Sequence, residues 1–351
     1  MPRHLSWKKI LTREYSFLYA SYAADCFKIM RAVVGTTLEY DFFYGEGGLL
    51  TIYRIEADIQ RSYRMLEKIA KKNPEEIVRK MDTFDQLIQQ NYVLFAAIKK
   101  SSVRVETKKL LLELDKTFLH TLCYYLFFVF LGYAGDQPAI ARFLRRHGRR
   151  FKQIRTYTID TDMHREYPKL FGAYDHRLKP LVPYMTRREL IAAIQGKLLT
   201  VAKIRRRQRR YLVIMRKHRV VEYPFEKIDH ILSKELAHLA GRRTQDFVVG
   251  QVACWGNVRG VVRVIFSKKD YRKIQRGDII VTPMTKPTIV PYLSKVKGIV
   301  TNDGGALSHA SIISREMKIP CIVGTIHATD VFKNGDVVRL DTGKGVAMKV
   351  L

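Results

Sequence analysis

Residues 297–324 read KGIVTNDGGALSHASIISREMKIPCIVG. Gly298-Ile299-Val300-Thr301 is apolar and β-branched, and Asn302-Asp303-Gly304-Gly305 stops it, the pattern of a short buried strand ending in a turn. Ile312, Ile313, Glu316 and Met317 have helical spacing, closed before Ile319-Pro320. Cys321-Ile322-Val323 reads as a second buried strand. The spacing therefore places His309 at a strand-to-helix turn, at or near the helix N-terminus. A helix's first turn has unpaired N–H groups and partial positive charge, so it holds an anion well. Gly304 and Gly305 let the backbone bend sharply and let another body come close. A neutral imidazole there can attack a phosphoryl group, and the product could be held by amide donors and the Ser308 hydroxyl. From spacing alone, a histidine after a Gly-rich turn is more often a helix-cap or surface residue than a nucleophile.

The motif carries a resemblance. Gly304, Gly305, Ser308, His309, Ala310, Arg315, Glu316, Ile319, Pro320, Val323 and Gly324 fall in the order seen in the phosphohistidine swivelling domain. That is the mobile domain of enzymes that use or make phosphoenolpyruvate (PEP), among them PEP synthase, pyruvate phosphate dikinase, enzyme I and rifampicin phosphotransferase. The resemblance extends upstream through 277–285 and downstream through 335–345, about the last hundred residues. It implies that His309 carries a phosphoryl group, with Gly304, Gly305, Ser308 and Ala310 supporting the phosphate. Two positions depart from the pattern: Leu307 replaces the Thr of the synthase, dikinase and enzyme I, as in the rifampicin phosphotransferase-like branch, and Lys318 replaces a Gly.

The expected fold class is α+β: an N-terminal mainly helical domain with short hairpins over 1–240, a linker or hinge over 241–250, and a β/β/α swivelling domain over 251–351. Eight residues of the latter, Val252, Val264, Ile279, Val281, Ile299, Ile322, Val338 and Leu340, are expected to form one core. Upstream, Tyr15 to Val34 has helical spacing after a polar opening. Gly45 to Gly48 reads as a hairpin turn between Leu38–Phe43 and Leu49–Tyr53; a phosphate loop would need a following Lys-Ser/Thr. Asn73-Pro74 breaks a long amphipathic stretch and caps its second half. Thr186 to Glu189 has capping-box spacing, and 211–215 with 220–223 reads as a second hairpin. Phe225 to Ala240 is a last helix. In rifampicin phosphotransferase-like enzymes the comparable helical region forms the acceptor pocket.

The formal net charge is +30, with +10 in residues 241–351 and +20 before them. Two clusters dominate, Arg142 to Arg155 (RFLRRHGRRFKQIR) and Lys203 to Arg219 (KIRRRQRRYLVIMRKHR). Each suits a solvated face, an acidic partner, or nucleic acid. Cys26, Cys123, Cys254 and Cys321 lack metal spacing and lie in apolar contexts, which points to buried thiols in a reducing cytoplasm and to no bound metal. Residues 118–133 form the one candidate span, short and rich in Tyr, and read better as a buried bundle helix than as a membrane segment.

The resemblance also implies missing parts. The family's nucleotide is bound by an ATP-grasp domain, for which these 351 residues have no room, and the synthase and dikinase add a pyruvate barrel. The expectation is a phosphotransfer subunit that receives its phosphoryl group from ATP and Mg²⁺ held by a separate ATP-grasp partner and passes it to a small-molecule acceptor. The alternative is a basic nucleic-acid-binding or scaffolding protein that reuses the fold without catalysis.

Overall fold

The structure, a computed structural model, describes residues 5–157, 159, 162–237, 246–305 and 308–350. Packing divides the chain into two units, residues 15–228 and residues 1–14 with 229–351. The boundary thus falls at Ile228, twelve residues before the expected one. The first residues join the C-terminal unit through ion pairs: strand β1 (Trp7–Arg13) places Lys9 against Asp330 at 2.7 Å and Arg13 against Asp303 at 3.4 Å, and Glu14 receives Lys286 at 2.9 Å. The polar opening read from sequence is this strand.

The helical unit begins with α1 (Phe17–Val34), whose N-cap Ser16 accepts from the Tyr19 amide. Hairpin β2 (Tyr40–Glu46) and β3 (Leu49–Ile55) follows, then α2 (Glu56–Lys72), α3 (Pro74–Lys100), α4 (Arg104–Tyr133) and α5 (Pro138–Thr156). Asn73 caps α3 through the Glu76 amide with Pro74 in the first turn, as the sequence predicts. In α4 the window apolar enough to cross a membrane is 72% buried inside the protein, between α1 and α3. Short α6 (Tyr167–Tyr174) and α7 (Arg187–Ile194) come next, the latter with the predicted Thr186–Glu189 capping box. Helix α8 (Val201–Arg209) leads into hairpin β4 (Arg210–Arg216) and β5 (Arg219–Glu222). The two hairpins form one antiparallel sheet, because β4 pairs with β2 along seven residues. Tyr211 packs on Gly45 so closely that a Cβ there would lie 2.0 Å from its ring. Cys26 and Cys123 meet across α1 and α4 with sulfurs 3.2 Å apart.

The second basic cluster is largely structural. Arg207 is buried, stacks 4.3 Å over the Phe17 ring, and donates to both Glu189 and Glu222 at 2.6–3.1 Å and to the Tyr184 carbonyl at 3.0 Å. Burial opposes ionisation of Glu189 and Glu222, but the Arg207 hydrogen bonds outweigh it and hold both below the usual carboxylate range. Lys203 pairs with Glu222 and Arg206 with Glu226.

The C-terminal unit continues from α9 (Ile228–Glu235) into an eight-stranded sheet. Its strands are β6 (Phe247–Val249), β7 (Gln251–Cys254), β8 (Val258–Val264), β9 (Ile279–Thr282), β10 (Gly298–Thr301), β11 (Cys321–Val323), β12 (Val337–Asp341) and β13 (Val346–Lys349). The order is β6-β13-β12-β8-β9-β10-β11-β7, with β8 to β11 parallel. Helices α10 (His309–Glu316) and α11 (Ala328–Val331) complete it. Strand β6 lies inside the stretch expected to be linker; its Phe-Val-Val run pairs with β13. The first half of the expected linker or hinge, 241–245, lies outside the described residues.

The expected single core is two. Parallel strands buried on both faces send alternate residues to opposite sides. Val264, Ile279, Val281, Ile322, Val338 and Leu340 pack on one face with Phe332, and Ile299 packs on the other with Ile280, Cys321 and Val323. Val252, on the short edge-proximal β7, is only half-buried, and Cys254 beside it is likewise not fully buried.

Two substitutions test this account. Arg207→Ala removes the buried cation shared by Glu189 and Glu222, leaving them only Thr186 and Lys203, and should cost about 3 kcal/mol in denaturant unfolding. Exposed Arg205→Ala, in the same cluster, should stay within about 0.5 kcal/mol. Lys318 has a φ of +55°, the left-handed conformation that ends a helix best with glycine. Lys318→Gly should therefore stabilise the C-terminal unit by about 0.5–1 kcal/mol.

Candidate active site

Three parallel strands deliver the site at their carboxyl ends. β9, β10 and β11 lie side by side, with Val281 opposite Val300 and Val300 opposite Ile322. The loops that follow are bonded to one another. The Asn302 amide donates to the Thr282 carbonyl and the Asp303 amide to that of Pro283. The Thr325 amide and hydroxyl both donate to the Thr301 carbonyl. The buried Asn302 side chain bonds Thr329 through both its oxygen and its nitrogen. Loops emerging at adjacent carboxyl ends are the usual place for a binding site in a parallel sheet.

His309 is the first residue of α10, as the sequence predicts. Ser308 is its N-cap: the Ser308 hydroxyl accepts from the Ser311 amide at 3.3 Å and lies 3.0 Å from the Ser311 hydroxyl, which itself donates to the Gly305 carbonyl at 2.7 Å. The Ser308 amide also donates to Gly305. Gly304 has a φ of +126°, and Gly324 has a φ of +71° with its missing Cβ 2.9 Å from the Gly304 carbonyl, so both positions require glycine. Ala310 has its methyl in the core beneath the helix, while its amide belongs to the first turn. The helix buries Ala310, Ser311 and Ser314, while Ile312 is exposed. Ala306 and Leu307 lie outside the described residues.

The sequence reading missed Thr285. This buried residue, three beyond the end of β9, lies with its hydroxyl 2.7 Å from His309 Nδ1. The signal was present in the Thr282-Pro283-Met284-Thr285 run after a fully buried strand, but nothing local ties it to a histidine 24 residues away. One ring nitrogen is thus engaged by the protein, and Nε2 is the other. Partial burial lowers the His309 pKa from its ordinary value, weakly opposed by Glu316. Nearby Asp303 has its carboxyl raised by burial, opposed by Arg13 and Lys9. His327, the neighbouring histidine in sequence, precedes α11 and faces Asp330 at 3.6 Å. Among the described residues no three His, Cys, Asp or Glu side chains are grouped to hold a metal.

The geometry is therefore a histidine at a helix start, its ring held through Nδ1, between glycine turns at the carboxyl edge of a parallel sheet. Residues 274–345 match the family described as "PEP-utilising enzyme, mobile domain". Over 91 residues the chain is 48% identical to a probable phosphoenolpyruvate synthase of Archaeoglobus fulgidus, covering 26% of this chain and 12% of that protein. It is 47% identical over 90 residues to the phosphoenolpyruvate synthase of Pyrococcus furiosus, covering 26% and 11%. With a probable synthase of Staphylothermus marinus it shares 42% over 123 residues, covering 34% and 14%. The matched stretch is therefore a small fraction of each relative. Among solved structures, aconitase X of Thermococcus kodakaraensis matches with a TM-score of 0.24 at 18% identity, over 30% of this chain and 98% of that one. An enzyme I solution structure matches with 0.21 at 12%, over 81% and 79%. Neither score bears on the fold.

The lowered pKa has a direct check. Titrated by NMR through its ring protons, His309 should show a midpoint below the ordinary value of about 6.5. A midpoint above it would mean that the site favours the imidazolium.

Proposed function

We propose that this protein is a cytoplasmic phosphotransfer subunit in which His309 Nε2 carries a phosphoryl group from a nucleotide to a small-molecule acceptor. The observation that carries the reading is the 2.7 Å contact between Thr285 Oγ1 and His309 Nδ1 at the start of α10. In this reading Nδ1–H donates to Thr285, which fixes the tautomer and leaves the lone pair on Nε2. That lone pair attacks phosphorus; an N–P bond forms, the P–O bond to the nucleotide breaks, and the electron pair leaves on that oxygen. In the second half the acceptor's oxygen attacks phosphorus and the N–P bonding pair returns to Nε2. The Ser308 cap and the first-turn amides face the added negative charge. ATP with Mg²⁺ is assigned to an ATP-grasp partner; bound there, the metal neutralises the transferring phosphates. A separate partner is consistent with a match confined to the mobile-domain part of the synthases.

The test mixes the protein with a candidate ATP-grasp partner and nucleotide labelled on its phosphates. The labelled product should be acid-labile and base-stable, as a phosphoramidate is, and absent from His309→Ala. Ser308→Ala should label more slowly, and His327→Ala normally. Thr285→Val removes one orienting hydrogen bond of about 1–1.5 kcal/mol, so its labelling rate should drop about tenfold. Because burial lowers the His309 pKa, the rate should hold from neutrality to below about pH 6.5 before protonation reduces it. Undiminished labelling of His309→Ala would sink the assignment.

A further inference from the structure

The two basic clusters, similar in sequence, have different fates. The second is tied down by Glu189, Glu222 and Glu226. The first forms α5, which buries Ile140, Phe143 and Ile154. Its N-terminus is held by Glu67, whose carboxylate accepts from the Ala139 and Ile140 amides at 2.9 and 3.2 Å. Arg150 anchors one flank to Asp82 and Asp85 at 2.6 and 2.8 Å, and Arg155 lies over the Tyr133 ring. Arg142, Arg145, Arg146, Arg149 and Lys152 remain. All five are exposed, and among the described residues none has an ion-pair partner. Their spacings of three and four put them on one face of the helix.

We infer that this face of α5 binds the phosphate backbone of duplex nucleic acid. From Arg142 to Lys152 the stripe is about 15 Å long at 1.5 Å per residue. Laid along the duplex axis, that length covers about four or five phosphates of each strand, one per ~3.4 Å of axis. Four of the five cations are arginines, whose planar forks match phosphate oxygens. No large apolar side chain of 138–156 is exposed, so the face has nothing to insert into a bilayer. For the same reason it has no aromatic platform on which unpaired bases could stack, which favours a duplex read through its backbone, blind to sequence. The inference is independent of His309 chemistry.

The experiment follows binding of a fluorescent 20-base-pair duplex to the full chain by anisotropy across a salt series. Wild type should bind at low salt, with log K against log [salt] falling at a slope of about −4, the value for four or five neutralised phosphates. Arg145→Glu with Arg149→Glu should weaken binding at least tenfold and flatten the slope by about 2. The charge-preserving Arg145→Lys with Arg149→Lys should retain most of the affinity. Lys268→Glu with Lys269→Glu makes the same charge change at exposed sites in the C-terminal unit and should stay within about threefold. Circular dichroism checks that each variant keeps its helix content; if the Glu pair unfolds, Arg145→Gln with Arg149→Gln, which removes the two charges without reversing them, takes its place and should weaken binding and flatten the slope by about 2. The inference is overturned if the duplex does not bind, if the two Glu pairs weaken binding equally, or if the Lys pair loses as much as the Glu pair. Equal binding to phosphatidylserine vesicles, or equal displacement of the duplex by polyglutamate, would also overturn it, in favour of a membrane or an acidic protein surface.

Discussion

Val281 pairs with Val300 and Val300 with Ile322, and this register brings the carboxyl ends of three parallel strands level. The geometry of His309 depends on it. Thr285 follows one of those strands, His309 the next and Gly324 the third. A slip by one residue would turn each strand's two buried rows inside out. It would also separate Thr285 from the imidazole. Burial on both faces makes such a slip costly, because Ile280 and Val281 are each committed to a different core. The cross-bonds at Asn302, Asp303 and Thr325 then carry the strand register into the loops. The ring is thus held by a contact that the strand register sets.

What was legible in the sequence was local. A helix start at His309, the Asn73 cap and the Thr186–Glu189 box each rest on bonds between residues three or four apart, so spacing alone exposes them. The family motif added an expected role for the histidine. Partners distant in sequence stayed hidden. The union of the two hairpins joins residues some 170 positions apart, and the ion pairs of Lys9 and Arg13 reach across about 300. Strand β1 looked polar because its lysines and arginine find partners far along the chain. Composition could not separate the two basic clusters either. Arg207 and Arg149 sit in similar strings, yet one is buried among carboxylates and the other is exposed.

If His309 carries a phosphoryl group as proposed, it must release what it accepts, and its surroundings suit that requirement. The described side chains bonded at the site are uncharged: Thr285 on the ring, with Ser308 and Ser311 at the cap. The nearby carboxylates are already matched, Asp303 by Arg13 and Asp330 by Lys9. A phosphorylated imidazole would gain its stabilisation mainly from amide dipoles at the helix start, a weaker hold than a bidentate arginine would give. A strong cationic clamp would deepen the phosphohistidine state and raise the barrier to passing the group on, since only interactions stronger in the transition state speed a transfer. Partial burial acts in the complementary sense. It disfavours the imidazolium, so in the proposed transfer the ring would meet its donor as a neutral nucleophile and would be restored to that form when the phosphoryl group departs.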